Sequence, residues 1–341
     1  METICVVGWA GYVGSELVRS LVGKGRKVRV IDMFLFGRSG LSGIENQVEV
    51  LEGDARKMQP SWLEGCASVV NLAGFSNDPT ANFRPDLNWE FNVTTAARIA
   101  WNSVIAGVER LVYASSASIY HTTEMEMDSE LGERAPVKPH WHYSTSKFAG
   151  EMASMCFGNQ LCVTSLRKGT ICGPSFRMRY DLLLNTMFRS LATRGVIELH
   201  GGGWVHRPLL SVQDAVSAYE AVLFAPKEKV SGQIFNVVGE NATVRHYAEV
   251  LVCRYKELLL GSPIWGVSND LRIVETEPHG ELRSYKVSSR KLKETLAWRP
   301  RCLSDGISSD LCLSLISKRL TDFADPLCEN MAAISGRFEG E

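Results

Sequence analysis

The segment VVGWAGYVGSELV near the N-terminus constrains the fold more than any other. An apolar run, TICVV, passes into a turn holding Gly8, Gly11 and Gly14 and then straight into an amphipathic stretch, GYVGSELVRSLVGKG. Glycines at this spacing allow a tight turn, close approach of the backbone to a ligand, and close packing of helix on strand. The helix N-terminus then faces whatever anion the turn holds. A strand, turn and helix in this order open a parallel βαβ unit, and the expected occupant is a dinucleotide pyrophosphate touching Gly8, Gly11, Tyr12, Val13 and Gly14.

Beyond this helix the chain keeps the same rhythm. KVRVID, VEVLEGD, SVVNLAG and RLVYASS are short β-branched runs, and the last two are separated by NWEFNVTTAARIAWNSVIAGV, where Phe91, Thr95 and Ile99 recur at helical spacing. SVVNLA and RLVYAS are continuously apolar, as strands buried on both faces are. The prediction is α/β: a Rossmann-type doubly wound parallel sheet with a smaller C-terminal substrate-binding portion. After a further helix, HWHYSTSKFAGEMASMCFG, and a further strand, LCVTSLR, Pro and Gly become frequent at 173–175, 201–203 and 207–209. The expected division is therefore an NAD-binding domain over 1–169, a mainly substrate-binding portion over 170–318, and a tail, 319–341, to which the sequence gives no role.

Composition narrows the function. With 45% hydrophobic and 22% charged residues the 341-residue chain has ordinary globular content; its 37 Lys and Arg are spread along the sequence and balanced by 38 Asp and Glu, for a net charge of −1. No basic patch for nucleic acid or an anionic membrane is present, no apolar run reaches the length of a membrane span, and METICVVGWAGYVG does not read as a leader. A small-molecule substrate and a cytoplasmic location are expected. The nine cysteines, at 5, 66, 156, 162, 172, 253, 302, 312 and 328, include no C-x-x-C pair, and their odd number argues against a disulfide framework. They read as reduced thiols, and no metal site is expected; Cys156 and Cys162 match no zinc spacing.

Two further features carry chemistry. Asp32 closes KVRVID eighteen residues after Gly14, where a carboxylate accepts hydrogen bonds from adenosine ribose hydroxyls and repels a 2′-phosphate; Met33, not an arginine, follows it. This favours NAD over NADP. In YSTSK, Tyr143 and Lys147 stand one helical turn apart on one face, so the ammonium can favour the phenolate and turn the tyrosine into a base near neutral pH. LVYASSASIY ends an apolar strand in Ser115 and Ser116, at the sheet end where doubly wound folds bind ligands.

Taken in order, the glycine turn, the serine-ended strand and YSTSK resemble the extended short-chain dehydrogenase/reductase family, the group of NAD-dependent epimerases and dehydratases acting on sugar nucleotides. The resemblance covers about residues 3–300. It implies a triad of Ser116, Tyr143 and Lys147, with Tyr143 and Lys147 also touching NAD. It likens Asp54 to an acid meeting the adenine amino group, Ala73 and Gly74 to the loop beside the cofactor, and Asn92 to a helix asparagine, all of them counted as cofactor-binding. It makes Arg207, and as a second candidate Arg283, ligands of the nucleotide diphosphate, a role suited to arginine forks.

Some positions depart from the family pattern. His121 replaces a frequent glycine, and Thr170 stands where many members have a substrate-contacting asparagine. Ala117 and Ser118 stand where 4,6-dehydratases carry an Asp-Glu pair and glucuronate decarboxylases a glutamate, which argues against both reactions. In GPSFRMRYDLLLN, the expectation is that Arg179 and Asn185 reach the substrate, with Arg177 and Asp181 on the same turn; the alternative is a solvated helix start. His140 and His142 read as packing or capping residues. The expected activity is an NAD-dependent sugar-nucleotide 4-epimerase, with a sugar-nucleotide dehydrogenase or ketoreductase as the alternative and a non-catalytic NAD-binding sensor or scaffold behind it. The family also implies a homodimer, paired through helices around 88–106 and 141–158.

Overall fold

The computed structural model describes residues 2–120, 129–259, 270–278, 283–317, 319–320 and 322–338. His121 lies outside them. The strands in chain order are β1 (Thr3–Val7), β2 (Lys27–Asp32), β3 (Val48–Glu52), β4 (Cys66–Asn71), β5 (Arg110–Ser116) and β6 (Cys162–Lys168). They continue as β7 (Thr170–Cys172), β8 (Val196–His200), β9 (His206–Ser211), β10 (Gln233–Val237), β11 (Glu240–Thr243) and β12 (Arg272–Thr276). Seven form one parallel sheet in the order β10-β6-β5-β4-β1-β2-β3. The chain winds outward from β1 to β3, then crosses back to β4 and winds the other way, so a crevice opens beyond the carboxyl ends of β1 and β4.

Alternation along the strands divides the core into two layers. Val6, Val30, Val70, Val112 and Leu166 face Leu17, Val18 and Leu21 of the helix Tyr12–Gly23 and Ala215, Tyr219 and Val222 of the helix Val212–Leu223. Cys5, Val7, Ile31, Val69, Leu111 and Val163 face the other way, onto Ile99 and Ala100 of the helix Thr95–Ile105. All nine cysteines are free. No described helix is long and apolar enough to cross a membrane.

The chain beyond residue 170 contributes to both bodies. β10 returns to the edge of the main sheet beside β6, and Val212–Leu223 covers that sheet. The remainder builds a second core, where Leu184, Phe188, Leu251, Tyr255 and Leu311 come from three helices, Leu183–Arg194, Val244–Leu259 and Ser304–Ile316. Beside it lie a small sheet, β11-β9-β7, and a parallel pair, β12-β8.

Two elements differ from the sequence reading. The stretch read as one crossover helix is a short helix, Pro85–Trp89, a π-helical turn, Glu90–Thr94, and only then Thr95–Ile105. The wider turn accommodates an extra residue that a purely 3.6-residue reading cannot register. The tail also has a place: in the helix Asn330–Phe338, Ile334 and Phe338 pack against Phe75, Leu87 and Phe91.

Candidate active site

A cavity of about 590 Å³ runs along the carboxyl ends of the parallel strands, and its wall includes Gly8, Gly11, Tyr12, Val13 and Gly14. Gly8 has φ +78°, and a Cβ there would lie 2.5 Å from the Ala73 nitrogen. A Cβ on Gly14 would fall 2.3 Å from the Trp9 carbonyl oxygen, so glycine here is what lets the helix seat on the strand. At Gly11 a Cβ would meet only the Gly8 oxygen, at 3.5 Å. Protein packing therefore does not explain Gly11, whereas a phosphate approaching the first helical turn does. By this test the turn fits a dinucleotide pyrophosphate.

Asp32 ends β2 in the same wall. Its carboxylate accepts hydrogen bonds from Ala10 N at 2.9 Å and Phe34 N at 2.8 Å. Burial pushes it up to about 6 against the pull of these backbone donors. Each oxygen keeps lone-pair capacity for a ligand hydroxyl. Ala73 and Gly74 continue the wall after β4.

The serine, tyrosine and lysine come from two elements. Ser116 is the last residue of β5, and its Oγ accepts from Ser118 N at 3.2 Å and lies 2.9 Å from Ser118 Oγ. Tyr143 and Lys147 stand one turn apart on the helix His142–Met155, whose start is closed by Ser144 Oγ accepting from Trp141 N. Ser116, Tyr143 and Lys147 all line the cavity, and Ser116 is near enough to Tyr143 to favour its phenolate. Burial nevertheless pushes Tyr143 up to about 12, with Asp78 and Tyr285 adding to it and Ser116 and Arg179 opposing it. The same burial pulls Lys147 down to about 8, partly offset by Glu151. The expectation of a lowered tyrosine is thus not met by these side chains alone: desolvation of the hydroxyl outweighs the groups that favour the phenolate.

Asn92 takes a different place from the one its motif suggested. It lies behind the wall, donating from Nδ2 to Phe75 O, Asn88 Oδ1 and Ser146 Oγ at 2.9–3.1 Å, and so ties the cavity loop to the Tyr143 helix. Asp54 also lies outside the wall. Its carboxylate accepts from Arg56 N at 2.9 Å and pairs with the Arg56 guanidinium at 2.7 Å, an attraction that commits it before any ligand arrives. Asn185 is fully buried, accepting from Gly173 N and donating to Tyr12 Oη and to Arg179 O. It braces the turn that carries Arg179.

Thr170, Arg179, Arg207 and Arg283 do line the cavity. Arg179 is already held by Asp181 at 2.8 Å and donates to Ser76 Oγ at 2.9 Å. Arg207 stands in β9, opposite Ala242 of β11 and two residues before Leu209, the partner of Thr170; it lies 5.7 Å from the Tyr285 ring centre, and burial pulls its pKa down. Arg283 bonds Asp78 at 3.1 Å and lies 5.1 Å from the Trp141 ring centre.

The sequence reading missed several wall residues. Lys168 ends β6 and donates to Tyr219 Oη at 2.8 Å; Asp78 and Tyr285 both act on Tyr143; Asn330 and Ile334 reach in from the tail helix. Only Lys168 had a signal, its place at the carboxyl end of a predicted strand.

The model of the NAD dependent epimerase/dehydratase family matches residues 4–238. Among curated proteins, the UDP-glucose 4-epimerase of Mycolicibacterium smegmatis is 25% identical over 326 residues, 90% of this chain and 96% of that one. The UDP-N-acetyl-alpha-D-glucosaminuronate decarboxylase of Bacillus cytotoxicus is 26% identical over 311 residues, covering 88% and 94%. Among solved structures, MoeE5 in complex with UDP-glucose and NAD is 25% identical with a TM-score of 0.76, covering 93% of this chain and 99% of that one.

Proposed function

From the chain's membership of the NAD dependent epimerase/dehydratase family, we propose that it is a sugar-nucleotide 4-epimerase working by transient oxidation at the sugar C4. The observation that carries this reading is that Ser116 and Tyr143, with Lys147 one turn on, line the same cavity as the glycine turn and Asp32. Curated relatives catalyse both epimerisation and decarboxylation. Ala117 and Ser118, directly after Ser116, offer no carboxyl group for an elimination or decarboxylation, which favours the epimerase.

In this reading Gly8, Gly11, Tyr12, Val13 and Gly14 hold the pyrophosphate of NAD, Asp32 its adenosine ribose, and Ala73, Gly74, Tyr143 and Lys147 its nicotinamide end. NAD bound there would supply a reversible acceptor for the hydride of the sugar carbon and the positive charge of its oxidised ring. Tyr143 takes the proton of the C4 hydroxyl while Ser116 bonds to the same oxygen. Lys147 stabilises the phenolate that Tyr143 must become, and that stabilisation is needed because burial opposes it. Arg207 and Arg283 grip the nucleotide diphosphate, Thr170 and Arg179 face the sugar, and the keto sugar turns between them to present its other face. With nine free thiols, the chain suits the cytoplasm.

Tyr143→Phe tests the assignment. It removes the hydroxyl and keeps the ring, so turnover of UDP-glucose and UDP-galactose should fall by about 10²- to 10⁴-fold while NAD and UDP still bind. Lys147→Met should act through the same proton, so the two losses should not multiply in the double variant. Interconversion at the parental rate by the phenylalanine variant would remove Tyr143 from its role.

A further inference from the structure

Arg177 is a buried cation, two of whose three nitrogens, Nε and Nη2, find no acceptor among the described residues. It is 4% exposed and lines the cavity. Its guanidinium carbon lies 3.8 Å from the centre of the Phe36 ring, in the loop that follows Asp32. The acids nearby are committed elsewhere: Asp181 holds Arg179 and Asn77, and Asp325 accepts from Leu327 N. Burial and the neighbouring Arg179 pull Arg177 down to about 9. A guanidinium has five donors and no route to neutrality in ordinary chemistry, so a buried one needs an anion.

The neighbours of Arg177 show which anion. Ser175 Oγ donates to Tyr12 O at 2.9 Å and lies 3.0 Å from Ser15 Oγ, and Phe176 N donates to the Glu16 carboxylate at 2.9 Å. Residues 175–177 are thereby pinned to the first turn of the helix Tyr12–Gly23, whose free N–H groups face the same cavity. Asp32 is near enough for Arg177 to lower its pKa, so a 2′-phosphate beside Asp32 would meet a carboxylate. Arg207 sits with Tyr285 and Arg283 with Trp141.

We propose that Arg177 is a side-chain ligand for the pyrophosphate of NAD, closing with its fork the cradle that the glycine turn opens from the other side. The proposal rests on NAD being the cofactor. An arginine suits it because the fork can bond two phosphate oxygens at once, which a lysine cannot.

The test is titration of NAD, ADP-ribose and UDP into the full chain, freed of copurifying nucleotide, as wild type, Arg177→Met and Arg177→Lys. Arg177→Met should weaken NAD and ADP-ribose equally, by about 10- to 100-fold, and leave UDP unchanged. Arg177→Lys should recover part of the loss. Without ligand, Arg177→Met should melt at or above the wild-type temperature, since it removes a buried charge, and NAD should raise its melting temperature less. Equal NAD affinity in wild type and Arg177→Met overturns the proposal, as does a lower ligand-free melting temperature with UDP binding lost in step. Tighter binding of NADP than NAD, abolished in Arg177→Met, assigns the guanidinium to a 2′-phosphate and overturns it too. A wild type that takes up no NAD defeats the cofactor reading itself, a result distinct from equal affinities.

Discussion

Asp32 meets two opposed demands: it must stay a hydrogen-bond acceptor for a ligand, yet its surroundings disfavour the charge that makes it one. Burial raises it from an ordinary 3.8 to about 6, so the folded chain holds that proton more tightly than the unfolded chain. The stability this contributes is fully present below the unfolded value and is lost as pH rises through the folded one. Asp32→Asn, neutral throughout, should therefore gain on the wild type by up to about 3 kcal/mol between about pH 4 and pH 7 in ligand-free protein. Urea unfolding across that range checks this, and a difference that stays flat with pH contradicts it. Tyr143 carries the same conflict further, since it must lose a proton that its environment retains. In this account the positive charge of bound NAD, added to Lys147, turns an unusually weak acid into a usable base.

At the scale of elements, the legible parts were those where one local rule decides. The first sheet strands announced themselves as short β-branched runs, and the glycine turn named its own neighbours, because turn, close approach and helix packing each demand glycine at a fixed step. Tyr143 and Lys147 were legible because helical spacing alone puts them on one face. Asp54 is paired with Arg56, two residues on, a contact that motif spacing does not encode. Asn185 sits behind the wall for a similar reason, drawn to the Gly173 and Tyr12 groups that fold against it. Arg177 and the tail helix were not legible at all. Their roles depend on segments about 140 to 250 residues apart meeting at one cavity, with Arg177 over Phe36 and Asn330 donating to Ser76 Oγ at 2.7 Å.

For the whole molecule, the helices Thr95–Ile105 and His142–Met155 pack side by side and leave Trp101 and Ile105 about half exposed, with Met152 also open to solvent. Large apolar side chains exposed together mark a surface meant to be covered. We propose that two chains pair these helices into a four-helix bundle, a homodimer related by a twofold axis. Light scattering at micromolar concentration should give twice the mass of 37.8 kDa, and Trp101→Glu should return it to one chain; a wild-type monomer contradicts this. An epimerase oxidises a sugar and reduces it again without releasing the electrons. Product stereochemistry at C4 and net NADH, followed in one mixture of enzyme and sugar nucleotide, test whether this cavity does so. The C4 epimer should form with no accumulation of NADH. A keto sugar formed in step with NADH, and never an epimer, would contradict the epimerase reading and make the protein a dehydrogenase.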